Sequence, residues 1–214
     1  MNIKKDIPTR EELNTILYIA KQKRYSSYLL FRLLSVTGKR LGEFVGVFNK
    51  DSREWEIGMS VNDVYPEDNR LSLYIIKAKK KTKSGNIIRD RYKKMPNFIP
   101  PDLMVELVGF INKHDLKGKD VVFRGSHVPC IRTFQRDFID FRKEAGILKD
   151  NITIHSLRHY VVSFLRMEKD MPYETIAERF TKHKSIDIMR KHYAHIDVEK
   201  QKDKIMKNLE FMES

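Results

Sequence analysis

Residues 37–43 read Thr37-Gly38-Lys39-Arg40-Leu41-Gly42-Glu43, and the rest of the chain is best understood outward from this turn. Thr37-Gly38 has the chemistry of a helix stop, since glycine takes the left-handed C-cap conformation without steric cost. Before it, Tyr28, Leu29, Phe31, Leu33 and Leu34 recur at helical spacing, so the pattern predicts a helix running into the turn. Further upstream, Thr9 and Glu12 form a capping box ahead of Leu13, Ile16, Leu17 and Ala20, which predicts a first helix. After the turn, Arg40 opens a short helix over Leu41–Val47, with Glu43 three positions on.

Downstream, turns and a strand near Trp55–Ile57 lead to the β-favouring run Leu71–Ile76. Residues 77–94, KAKKKTKSGNIIRDRYKK, hold seven Lys and two Arg against one Asp, a local net charge of +8. Ser84-Gly85-Asn86 supplies turn residues at the middle of this run and Ile87-Ile88 supplies a strand, so it reads as a β-hairpin with a charged tip. Pro100-Pro101 opens a helix with Leu103, Met104, Leu107, Val108 and Ile111 on one face. Val121–Phe123 reads as a short strand, and Arg132–Ala145 as an amphipathic helix ended by Gly146. The last third reads as four helices. The first opens at Ile154-His155 and ends near Met167, and the second has Pro172 in its first position and ends near Phe180. A third covers Ser185–Tyr193, and Asp197 caps the last, which ends near Met212. Helices flanking a small central antiparallel sheet make the fold class α+β.

Composition narrows the function. The 214 residues carry a formal net charge of +13, and eight of those charges lie in the one basic hairpin. Such an excess points to a polyanionic partner, most often nucleic acid; the competing explanation is solubility alone. No run approaches the length of a membrane-spanning helix, and MNIKKDIPTREEL has no apolar core after its lysines, so neither a membrane anchor nor a secretory signal is expected. A single cysteine, Cys130, leaves no disulfide framework and no multi-Cys zinc site, which fits a reducing cytoplasm.

Several residues suggest a phosphate site. His155 and Arg158 lie one helical turn apart and share a face. His183 falls at a helix boundary, and Tyr193 follows in a basic setting. Arginine forks match phosphate oxygens bidentately and lysine adds a point charge. Each residue alone has a plainer reading: Arg40 as an exposed helix-start residue paired with Glu43, His155 as an ordinary helix N-terminal residue, Tyr193 as a surface aromatic. Four elements in order are harder to explain away. TGKRLGE at 37–43, the lysine-rich hairpin, HSLRH at 155–159 and His183 followed by Tyr193 together resemble the tyrosine recombinases, the phage-integrase family. The resemblance runs from Pro8 to His195. It departs in two places: Thr181-Lys182 stands where the family has Leu-Gly, and ten residues rather than nine separate His183 from Tyr193, His192 occupying the shorter spacing.

The resemblance implies a site-specific recombinase that cleaves and rejoins DNA strands without metal, ATP or other cofactor, as in integration of a viral genome or mobile element. Tyr193 would be the nucleophile, forming a 3′-phosphotyrosyl bond and releasing a 5′-hydroxyl. Arg40 and Arg158 would hold the non-bridging oxygens. His155 would take the phenolic proton or brace the phosphate, and His183 would donate a hydrogen bond. Lys83 at the hairpin turn would protonate the leaving oxygen, with Lys81 and then Lys80 as alternatives. Glu43 would orient the Arg40 helix. Lys79, Lys80, Lys81, Arg89 and Arg91 would hold backbone phosphates. The resemblance further implies a catalytic domain over residues 1–196 without the helical DNA-clamping domain that usually precedes it, and a helical tail over residues 197–214. The partner would be double-stranded DNA, bound as a homotetramer, with a monomer or weak oligomer in free solution. Two alternatives share the fold or the chemistry: a non-catalytic DNA-binding protein and a type IB topoisomerase-like enzyme. A metal-dependent nuclease needs clustered carboxylates. Asp63, Glu67 and Asp68 read instead as loop acids, and Tyr160 and Tyr173 as packed tyrosines rather than nucleophiles.

Overall fold

The computed structural model describes residues 7–49, 53–75, 80–81, 87–88, 94–181, 186–187 and 189–190, with the backbone alone at 49, 54, 56, 80, 81, 87, 88 and 181. Helix α1 (Arg10–Lys23) begins at the expected capping box: Thr9 Oγ1 accepts from the Glu12 N–H at 3.1 Å and Glu12 Oε2 accepts from the Thr9 N–H at 2.8 Å. Helix α2 (Tyr25–Thr37) is apolar around most of its circumference, with Leu29, Leu30, Phe31 and Leu33 wholly buried. A helix patterned this way must be surrounded. Accordingly α1, α4 (Pro101–Lys113), α5 (Ile131–Glu144) and α6 (Ser156–Met167) all lie against it. Phe31 meets Phe138 of α5 edge to face at 5.3 Å, inside a core that also takes Phe134, Leu103, Leu107 and Leu157.

Two polar anchors lock α5 in place. Asp137, nearly buried, accepts from Arg24 Nη1 at 2.7 Å and from the Ser27 hydroxyl at 2.6 Å, joining α5 to the start of α2. Arg142, also buried, donates to the carbonyls of Lys149 and Ile152 and so fixes the chain that leads to α6.

The central sheet is antiparallel, in the order β3 (Val64–Tyr65), β4 (Arg70–Leu73), β7 (Met95–Phe98). Strand β4 alternates as a half-buried strand does, with Leu71 and Leu73 inward and Arg70 and Ser72 outward. Separate two-stranded ribbons pair β1 (Val47–Asn49) with β2 (Glu54–Glu56), and β5 (Lys80–Lys81) with β6 (Ile87–Ile88). The second ribbon is the described part of the expected basic hairpin. A smaller apolar cluster forms where the far end of α6 meets Tyr173, Ile176 and Met189.

Some boundaries differ from the sequence pattern. Helix α3 covers only Leu41–Val45, because Gly46 at φ 89° ends it and Val47 enters β1. The strand near Trp55 stops at Glu56, since Ile57 has φ 51°. The strand in 71–76 is Arg70–Leu73. Val121–Phe123 is not a strand: Val121 makes a single bridge to Ser60, and the Arg124 N–H bonds the Val121 carbonyl at 3.1 Å and curls the chain away. Pro172 is the cap of α7 (Tyr173–Ile176), not its first residue, and the chain widens to a π-turn over Ala177–Thr181. The final helix expected after Asp197, the boundary at 196–197 and most of Ser185–Tyr193 lie outside the described residues.

Candidate active site

Helix α2 ends as expected at Gly38, whose φ of 64° and ψ of 18° are left-handed and whose N–H bonds the Leu34 carbonyl at 3.0 Å. The reversal puts Arg40 at the N-cap of α3. Its N–H donates to Glu43 Oε2 at 2.9 Å, and its guanidinium lies 3.7 Å from Glu43 Oε1. The Glu43 side chain is 1% exposed and that of Arg40 32%, so the carboxylate is the buried member of the pair.

Arg158 reaches the same turn from α6. It is 3% exposed, and its Nη1 donates to the Gly38 carbonyl at 2.6 Å. The packing of α6 on α2 thus brings two arginines, 118 positions apart in sequence, to either side of one left-handed turn. His155 caps α6 and is exposed, and its ring meets that of His159 edge to face at 5.1 Å. Arg40, Glu43, His155 and Arg158 therefore share a locus, with Glu43 and Arg158 forming its buried side.

The basic hairpin is held at its foot. Asp63 accepts from the Ser60 N–H at 3.0 Å and the Ser60 hydroxyl at 2.7 Å, and it ion-pairs with Lys94. The Lys94 ammonium lies 4.7 Å from the ring centroid of Tyr74, on the outgoing arm. Burial works against the Lys94 charge, but hydrogen bonding and attraction to Asp63 outweigh it and raise its pKa. Asp63 is thus not a solvated loop acid: it is 2% exposed and structural.

The remaining candidates separate in two groups. Lys80 and Lys81 form β5, paired with Ile88 and Ile87. Lys79, Lys83, Arg89, Arg91, His183 and Tyr193 lie outside the described residues. The rival tyrosines are packed: Tyr173 is 5% exposed beneath Arg166, and Tyr160 stacks on Phe164, where burial raises its phenol pKa, opposite to what a nucleophile needs. Among the described residues no three His, Cys, Asp or Glu side chains group to hold a metal ion, and no helix is long and apolar enough to cross a membrane. Two features of the site escaped the sequence reading. The Gly38 carbonyl is an anchor as well as part of a helix stop, and Lys39, between Gly38 and Arg40, is 3% exposed. A backbone carbonyl carries no side-chain signal, so only the packed structure reveals the first.

A central helix ringed by others beside a three-stranded antiparallel sheet is also the fold of solved recombinase structures. The chain superposes on XerA recombinase with a TM-score of 0.67 at 17% identity, over 95% of this chain and 63% of that one. It matches XerH site-specific recombinase bound to palindromic difH substrate with a TM-score of 0.62 at 16% identity, over 98% and 54%. It matches a lambda integrase (75–356) dimer bound to a COC′ core site with a TM-score of 0.53 at 19% identity, over 88% and 61%. The chain therefore spans about three-fifths or less of the length of each. No curated protein matches it. The family model described as the phage integrase family matches residues 8–200, and the chain belongs to that family.

Proposed function

We propose that this protein is a site-specific DNA recombinase that breaks and rejoins strands through a covalent tyrosine intermediate. The observation that carries the reading is the 2.6 Å bond from Arg158 to the Gly38 carbonyl, which brings the second basic box against the first. The Tyr193 oxygen attacks the scissile phosphorus, forming a P–O bond to tyrosine and breaking the bond to the 5′-oxygen. The phenolic proton passes to His155, and Lys83 gives a proton to the departing 5′-oxygen. Arg40 and Arg158 face the non-bridging oxygens, where charge accumulates in the transition state; a prepositioned donor of this kind contributes a factor of about 10²–10³. His183 adds one hydrogen bond. Rejoining is the reverse reaction with a different 5′-hydroxyl, so no energy source or metal enters the balance. Lys79, Lys80, Lys81, Arg89 and Arg91 supply phosphate contacts along the hairpin.

The related structures hold DNA as a lambda integrase dimer on a core site and as a tetramer on a Holliday junction. They support duplex DNA as the partner of this chain and a homotetramer as its working assembly. The test uses nicked duplexes with randomised flanks, incubated with the protein in EDTA and resolved in SDS. A covalent protein–DNA band is expected, lost in Tyr193→Phe. No adduct from any member of the pool overturns the enzymatic reading, and an adduct that survives Tyr193→Phe overturns the nucleophile.

A further inference from the structure

Away from the two arginines, a cleft of about 240 Å³ opens between the β1–β2 ribbon and the loop leading into α5. Val45, Phe123, Val128 and Ile131 make its walls apolar. Trp55 lines it and is 45% exposed, and Phe48, 44% exposed, packs edge to face on the Trp55 ring at 5.5 Å. Among the described residues that line it, the one charge belongs to Arg124. Its guanidinium lies 5.4 Å from the Trp55 ring centroid, and its Nη1 is sealed from solvent without a hydrogen-bond partner. Among the described residues no carboxylate pairs with it. A guanidinium held this way has lost hydration without gaining a counter-charge, and burial accordingly lowers its pKa.

Those features describe a partner. The walls take one apolar side chain, and the guanidinium on the lining, with no carboxylate against it among the described residues, calls for an anion beside that side chain. We propose that this cleft docks a protein segment presenting an aromatic or aliphatic side chain next to a carboxylate. Charge complementarity selects an acidic segment, because a carboxylate entering the cleft satisfies Arg124 at the cost of little further desolvation of the guanidinium. Val45, Val128 and Ile131 on the walls, with one guanidinium among the described lining residues, favour a peptide over a nucleic-acid strand, whose successive phosphates are held by several solvated cations. None of the residues involved belongs to the proposed catalytic set, so the inference stands or falls apart from that reading.

The chain carries its own reporters, since Trp55 is the sole tryptophan and Cys130, on the cleft wall, is the sole cysteine. The experiment titrates the whole protein with capped hexapeptides centred on Phe-Asp, Leu-Asp, Phe-Glu and Leu-Glu, and with the same peptides carrying Asn or Gln. Trp55 fluorescence and the rate of Cys130 alkylation by iodoacetamide are followed together. At least one acidic peptide is expected to shift the emission saturably and slow alkylation. Its amide counterpart, and Arg124→Gln with the acidic peptide, should bind about tenfold more weakly, as for loss of one charge-assisted hydrogen bond. Arg124→Gln should form the covalent DNA adduct at the wild-type rate. No response to any acidic peptide at millimolar concentration overturns the proposal, as does equal binding of acids and amides. Protection of Cys130 by a mixed-sequence oligonucleotide and not by peptide assigns the cleft to nucleic acid and overturns it equally.

Discussion

Replacing Gly38 by valine tests whether the left-handed turn assembles the site. At φ 64° and ψ 18° the residue occupies a region that costs an L-amino acid about 1–2 kcal/mol, with β-branched residues the least tolerant and asparagine among the most. In a chain of this size 1 kcal/mol corresponds to about 2–4 °C in Tm, so Gly38→Val should lower the midpoint by about 2–8 °C and Gly38→Asn by less. The functional loss should be larger than the stability loss. Relief of the strain rotates the peptide after Gly38, and a shift of about 1 Å in its carbonyl is enough to break a 2.6 Å hydrogen bond. Arg158 then loses its anchor and with it the geometry of a transition-state donor, for which we expect a fall of about 10²-fold in the single-turnover rate of covalent adduct formation. The assay pairs thermal unfolding by circular dichroism with adduct formation at 20–25 °C below the variant's midpoint, where the protein is folded. A valine variant that is destabilised yet forms adduct at the wild-type rate would show that the Gly38–Arg158 contact does not position the site. An asparagine variant as slow as the valine one would refute the strain argument.

Three other outcomes follow from the described contacts. Asp137→Asn should cost about 1.5–3 kcal/mol in urea unfolding, because the wholly buried Ser27 hydroxyl and Arg24 lose a charged acceptor; an effect under about 0.5 kcal/mol contradicts that account. Asp63→Asn should destabilise the protein at neutral pH and slow adduct formation by loosening the foot of the hairpin. Since the folded pKa of Lys94 is raised, the contribution is complete below the unfolded lysine value of about 10.4 and fades as pH rises through the folded one, so variant and wild type should converge in strong alkali. His114 has its pKa lowered by burial, and next by His127, whose ring lies 5.2 Å away. Its neutral form is therefore favoured by folding. Stability should decline as pH falls below the unfolded histidine value of about 6.5, and His114→Gln should flatten that limb when Tm is measured from pH 7.5 to 5.

The helices that pack most of the core were legible from short-range pattern. Thr9 with Glu12 marked the start of α1, Gly38 the end of α2 and Gly146 the end of the α5 region, because caps and stops are satisfied by neighbours in sequence. Short elements were less legible. Val121–Phe123 has the side chains of a strand, yet a turn bond from Arg124 bends it, and apolar burial occurs without a ladder. Asp63 looked like a loop acid because its partner Lys94 lies 31 positions away, and no local pattern couples them.

By itself the sequence determined the family, the basic hairpin and which residues are candidates for the chemistry, since each of those rests on residue type and order. Tertiary structure decided what the candidates touch. The packing of α6 on α2 turned His-x-x-Arg into a buried contact with the Gly38 carbonyl. It also brought Arg124 against Trp55 and left its Nη1 without an acceptor, in a cleft whose walls come from three separate stretches of chain. Hydrogen bonds and burial between distant residues depend on how helices pack, and a linear order of side chains does not encode that packing locally.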